Sequence, residues 1–85
     1  MADLHARFTQ AEQEVNTFSE RPDNDTLLKL YALYKQATQG DATGERPGGF
    51  DFVRRAKFDA WSAIKGTSAE SAMEQYIDLV ASLRR

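Results

Sequence analysis

The stretch Asp23-Asn24-Asp25-Thr26-Leu27-Leu28-Lys29-Leu30-Tyr31-Ala32-Leu33-Tyr34-Lys35-Gln36-Ala37-Thr38-Gln39-Gly40 decides the fold class. Leu27, Leu28, Leu30, Tyr31, Leu33, Tyr34 and Ala37 recur at helical spacing and cover most of a helix's circumference. A helix apolar on so many sides is touched by neighbours on two of them. Pro22 breaks the chain just before it. Asp23 or Asn24 can accept hydrogen bonds from the free amides that open it. Gly40 is its expected stop, because a C-terminal residue with positive φ is cheapest as glycine.

The same periodicity extends in both directions. Upstream, Leu4, Phe8, Ala11, Val15 and Phe18 are spaced by 4, 3, 4 and 3, one apolar stripe on a first helix. Downstream, residues 40–51 hold four of the five glycines and one of the two prolines, a long loop for a chain of 85 residues. A third helix follows with Phe52, Val53, Ala56, Phe58, Ala60, Trp61 and Ile64 as its apolar set, closed by Gly66. Thr67-Ser68-Ala69-Glu70 reads as a capping box, with Thr67 as the cap and Glu70 reaching back to it. A fourth helix carries Ala69, Ala72, Met73, Tyr76, Ile77, Val80 and Leu83. No strand-like alternation of useful length competes. The reading is an all-α, four-helix bundle occupying residues 1–85 as a single domain, with a long loop between helices two and three.

Composition narrows the function. The absence of cysteine removes disulfides, thiolate chemistry and cysteine-based metal sites. Apolar runs are too short to span a membrane. The polar N-terminus is not a secretory signal, so the expected location is the cytoplasm. His5 is the only histidine, and no second imidazole could pair with it around a metal. The serines lack a nucleophile-elbow context, and the glycines of residues 40–51 lack the Lys-Ser/Thr ending of a phosphate-binding loop. No catalytic set, metal site or cofactor is therefore expected, and a binding module is the better class than an enzyme. A thioesterase is ruled against by the missing nucleophile–base pair.

The net charge of −2 conceals a division. Residues 1–28 carry −4, residues 29–65 carry +3, and residues 66–85 carry −1. A basic middle suits an anionic partner, although a solvated helix surface gives the same counts. The acidic ends argue against nucleic acid. Within the basic middle, Tyr31 and Lys35 share a helix face, Tyr34 adjoins Lys35, and Lys57 and Tyr76 come from the next two helices. Tyrosine rings can stack on a base while ammonium groups take phosphate charge. Ordinary core-edge tyrosines beside snorkelling lysines fit the spacing slightly better.

The order of residues separates the two readings. Tyr31-Ala32-Leu33-Tyr34-Lys35-Gln36-Ala37-Thr38-Gln39-Gly40-Asp41, Glu45-Arg46-Pro47-Gly48, Asp51-Phe52, Ala56-Lys57-Phe58-Asp59-Ala60-Trp61, Lys65-Gly66-Thr67-Ser68, Ala72-Met73 and Tyr76-Ile77 resemble the acyl-CoA-binding protein family along essentially the whole chain. The resemblance implies an up-down-down-up bundle and binding of medium- to long-chain acyl-coenzyme A esters without catalysis, as an intracellular carrier or buffer pool. It implies that Tyr31, Tyr34, Lys35 and Lys57 hold the adenine and the 3′-phosphate, with Tyr76 as the family's helix-four tyrosine. Phe8, Leu27 and Leu28 are expected in the acyl groove. Asn16 stands where the family commonly has lysine, and Arg54 or Arg55 is a candidate to supply the charge that Asn16 does not. Phe58 stands where tryptophan is common. A monomer is the simplest state, with acyl-CoA-using enzymes as transient partners and no stable membrane insertion. The alternative from another class is a helical protein-interaction adaptor that uses the Tyr31/Tyr34 face for a peptide and takes no small molecule.

Overall fold

The computed structural model describes residues 3–84, so the N-terminal Met1-Ala2 and the terminal Arg85 lie outside the described residues. Four helices run α1 (Leu4–Val15), α2 (Asn24–Gln39), α3 (Phe52–Ser62) and α4 (Ala69–Leu83), with no strand among the described residues. Each opens on a side chain that accepts a hydrogen bond from an otherwise unpaired amide. Asp3 takes Ala6 N–H (2.7 Å), Asp23 takes Thr26 N–H (2.8 Å), Asp51 takes Arg54 N–H (3.1 Å) and Ser68 takes Ser71 N–H (3.1 Å). Such caps are typically worth about 1 kcal/mol each.

The fourth cap corrects the sequence reading, which placed it at Thr67. Thr67 is already committed: its amide donates to the Ile64 carbonyl (3.1 Å) and its carbonyl accepts from Gln36 Nε2 (2.8 Å). The helix therefore starts one residue later, on Ser68. Glu70 then falls one position too early to close a capping box. Two further boundaries shift. α1 ends at Val15, where the Asn16 side chain bonds to the Glu12 carbonyl (3.2 Å), so Phe18 reaches the core from the following turn. α3 ends at Ser62, and Gly66 closes the turn after it with φ of 93°. Gly40 ends α2 as expected, with φ of 82° and ψ of −153°, a region essentially reserved for glycine.

Three tertiary bonds establish the helix directions. Trp61 Nε1, in the last turn of α3, donates to the Gly40 carbonyl just past α2 (2.8 Å), so α2 and α3 run the same way. Gln36, near the end of α2, bonds to Thr67 just before α4, so these two run oppositely. Arg84, at the end of α4, pairs through Nη2 with Glu14 Oε1 (2.7 Å) at the end of α1, so these two are parallel. The order is up-down-down-up. The loop of residues 40–51 carries the chain back along the bundle, and Arg46 pins it to α3 with two 2.8 Å bonds to the Asp59 carboxylate.

Packing follows the order α1 on α4, α4 on α2, and α2 on α3. Being touched by two helices explains why α2 is apolar on so many sides. The buried core is Phe8 and Ala11 of α1, Leu30, Leu33 and Ala37 of α2, and Ala72, Met73, Tyr76 and Val80 of α4. α3 contributes no fully buried residue. Phe52 and Val53, assigned by periodicity to the apolar set of that helix, are exposed: α2 is the one helix packed beside α3, and these two side chains are not covered by it.

One polar side chain is sealed inside. Gln36 is 1% exposed, and its Nε2 donates both to Asp41 Oδ1 (2.8 Å) and to the Thr67 carbonyl. Both partners are acceptors, which determines the orientation of the amide. Asp41 Oδ1 also accepts the Gly66 amide (2.8 Å), so a single knot joins the end of α2, the start of the long loop and the α3–α4 turn. Gln36→Leu keeps the volume but takes a donor from both Asp41 and the half-buried Thr67, and should cost about 1–3 kcal/mol in urea unfolding. Retention of wild-type stability would show that the knot is dispensable.

Candidate functional site

The α1 and α2 backbones do not approach each other, because α4 lies against both and keeps them apart. The gap between them is a groove of about 510 Å³. Val15 and Asn16 form one wall, and Leu27, Leu30, Tyr31 and Tyr34 the other. Tyr76 contributes from α4, and the turn from Phe18 to Pro22 closes one end. A second hollow of about 620 Å³ lies beyond the same turn, lined by Glu14, Leu83 and Arg84 among others.

Aromatic contacts line the depth of the gap. Phe8 is buried and stacks with Tyr34 (centroids 6.0 Å, planes 22° apart), and it meets Tyr76 edge-on (5.0 Å, 72°). Phe8 thus supports the groove tyrosines from beneath and is not itself a lining residue. The Tyr76 residue is 5% exposed, yet its hydroxyl makes no hydrogen bond among the described residues and is not sealed in the core. Burial pushes its phenol pKa up to about 12, helped by the nearby Glu12 carboxylate and by Tyr34. Desolvation also pushes up the Glu12 carboxyl itself.

A cationic cluster lies on the other side of Tyr31. Lys35 Nζ stands 6.0 Å and Lys57 Nζ 5.3 Å from the centre of the Tyr31 ring. Lys35 Nζ also lies 5.1 Å from the centre of the Trp61 ring. Parallel packing of α2 and α3 places Lys57 level with Tyr31, and Trp61 one turn further on, level with Lys35. Among the described residues neither ammonium pairs with a carboxylate. Aromatic faces attract the charges by about 0.5–2 kcal/mol each but do not neutralise them. Two like charges therefore converge on one ring with spare hydrogen-bond donors. This arrangement favours a multiply charged anion with a flat group beside it.

The structure brings Tyr31, Lys35 and Lys57 together, and it places Asn16, Leu27, Tyr34 and Tyr76 along the groove. Leu28 is half-buried but does not line it. Arg54 is turned to its own cap residue, Asp51 Oδ2, at 3.7 Å, and Arg55 donates to the Gly49 carbonyl at 3.4 Å. Phe58 is half-buried. Two contributors escaped the sequence reading. Periodicity assigns Trp61 to the apolar set of helix three, although its spacing of four from Lys57 also places it on that lysine's face. The turn from Phe18 to Pro22 had no signal beyond the proline.

The sequence profile described as "Acyl CoA binding protein" matches residues 5–80. The chain belongs to the acyl-CoA-binding protein family. It is 48% identical over 80 residues to acyl-CoA-binding domain-containing protein 6 of Arabidopsis thaliana, covering 94% of this chain and 87% of that protein. It is also 49% identical over 76 residues to enoyl-CoA delta isomerase 2 of Rattus norvegicus, covering 89% of this chain but only 19% of the rat protein. The similarity thus reaches one part of that longer enzyme. Its fold matches the crystal structure of Oryza sativa acyl-CoA-binding protein 2 with a TM-score of 0.90 at 42% identity, over 95% of this chain and 90% of that one. This family member has the fold its resemblance implied.

The raised Tyr76 phenol makes an alkaline prediction. A phenol held neutral in the folded state contributes stability that is fully present below its ordinary pKa of 10.0. That contribution should be lost as pH rises from there through about 12. Wild-type stability should therefore fall in this window more steeply than that of Tyr76→Phe, measured by denaturant midpoints at each pH. Parallel curves would place the hydroxyl in water.

Proposed function

We propose that this chain binds medium- to long-chain acyl-coenzyme A esters without catalysis, as a monomeric cytoplasmic carrier or buffer pool that passes them to acyl-CoA-using enzymes. The single observation that carries this reading is the pair of unpaired ammonium groups on the Tyr31 ring, set beside an open apolar groove. Coenzyme A supplies the matching chemistry: a 3′-phosphate and a pyrophosphate for the cations, and an adenine for the rings. Lys35 and Lys57 take the 3′-phosphate as compact point charges, and Tyr31 and Tyr34 offer faces to the adenine. The Tyr76 hydroxyl donates to the ligand from the floor. Asn16 is neutral at the groove edge, so head-group charge recognition falls on the lysines. The acyl chain follows Leu27, Leu30 and Val15.

Magnitudes divide the labour. Each buried methylene contributes about 0.8 kcal/mol, so a dozen contribute on the order of 10 kcal/mol before ordering costs. Stacking on a tyrosine adds about 1–3 kcal/mol. The tail therefore supplies most of the affinity, and the head group the selectivity.

Calorimetry should give affinity that climbs with acyl length, weak binding of free coenzyme A and almost none of free fatty acid. Equal affinity for coenzyme A and its palmitoyl ester would sink the reading and return the Tyr31/Tyr34 face to a peptide-binding adaptor. The emission of Trp61 should change on binding, because Lys35 lies against its ring. Lys57→Ala should weaken palmitoyl-CoA binding by about 2–5 kcal/mol. It should weaken the 3′-dephospho ester far less. Equal losses for the two esters would make Lys57 a structural residue only.

A further inference from the structure

The start of α3 exposes apolar side chains that the bundle leaves uncovered. Phe50 is 92% exposed, Phe52 66% and Val53 64%. Uncovered aromatic clusters on a small protein mark contact surfaces. The rings are presented on an ordered turn. The Phe52 amide donates to the Phe50 carbonyl (2.9 Å), the Arg55 amide to the Asp51 carbonyl (3.1 Å), and the Arg55 guanidinium to the Gly49 carbonyl (3.4 Å).

Charge identifies the partner. Residues 50–57 hold Arg54, Arg55 and Lys57 against the single acid Asp51, a local +2 on a chain of net −2. That acid is occupied by capping α3 and by Arg54. Aromatic rings beside arginines suit the boundary of a bilayer, where rings enter at headgroup level and cations meet anionic lipids. A second copy of the chain suits the patch poorly. Apart from Tyr34, at the groove, these three are the large apolar side chains exposed among the described residues. A self-contact would therefore set arginine against arginine. No helix among the described residues is long and apolar enough to cross a membrane, so the contact is peripheral.

We propose that the turn from Phe50 to Arg55 docks on the surface of an anionic bilayer, with the Phe50 and Phe52 rings at headgroup level and Arg54 against lipid phosphate. Val53 is one helical turn before Lys57, so the docking face adjoins the cationic cluster.

The test is co-sedimentation of the ligand-free chain with vesicles of phosphatidylcholine alone and of equal parts phosphatidylcholine and phosphatidylserine. Binding should appear on the mixed vesicles, fall with added salt, and be weak on phosphatidylcholine. Phe50→Ser should lower partition about tenfold. Arg54→Gln should lower it about fivefold. Circular dichroism of both variants should match wild type, since both side chains are exposed. Absence of binding to the mixed vesicles, or unchanged partition of Phe50→Ser, would overturn the proposal. A dimer in sedimentation velocity that Phe50→Ser dissolves would overturn it in favour of self-association. No acyl-CoA is present in the assay, so its failure leaves the ligand reading untouched.

Discussion

The contact on which the site depends is the edge-on meeting of Tyr76 with Phe8. Through it α4 holds α1, and the Phe8–Tyr34 stack carries the support across to α2. Two helices whose backbones do not meet are thereby held at a set spacing, touching through this ring stack, and the space between them becomes a groove instead of a collapsed interface. A helix pair in direct contact would have buried Leu27, Tyr31 and Val15 against each other. Here those side chains stay half-buried and line the groove.

Electrostatics then distinguishes the two sides of Tyr31. On the groove side lie aliphatic and aromatic groups. On the other side lie two lysines beside ring faces, with no carboxylate paired to them among the described residues. The acids of neighbouring segments are engaged elsewhere: Asp59 holds Arg46, Asp51 caps α3, Asp41 belongs to the Gln36 knot and Glu14 holds Arg84. In each of Asp41, Asp59 and Glu14 the carboxyl is lowered by such partners, so it stays ionised and committed. Leaving Lys35 and Lys57 uncompensated is what an anion-binding centre requires. Tying up the acids is how the fold prevents internal neutralisation.

Much of this was legible in the chain. The 3/4 spacing of α2 and α4, Pro22, Asp23 and Gly40 act locally, through backbone sterics and side-chain-to-amide bonds a few residues apart. The ordered blocks around Tyr31, Lys35 and Lys57 carried the family and hence the candidate site. Local rules failed where a distant partner intervened. Thr67 lost its capping role because Gln36, 31 positions away, claimed its carbonyl. Phe52 and Val53 kept a helical period, yet α3 has one neighbour and no core to receive them.

Helix content, the Asp23 cap and Gly40 stop of α2, the long loop and the identity of the charge-bearing residues were determined by the sequence alone, because each depends on interactions within a few residues. Only the tertiary structure decided that α1 and α2 stand apart, that Trp61 lies under Lys35, that Phe8 supports the groove from below, and that Phe50 faces water. Those outcomes depend on which helix face meets which neighbour. That choice is made by packing across the whole bundle, and no local period encodes it.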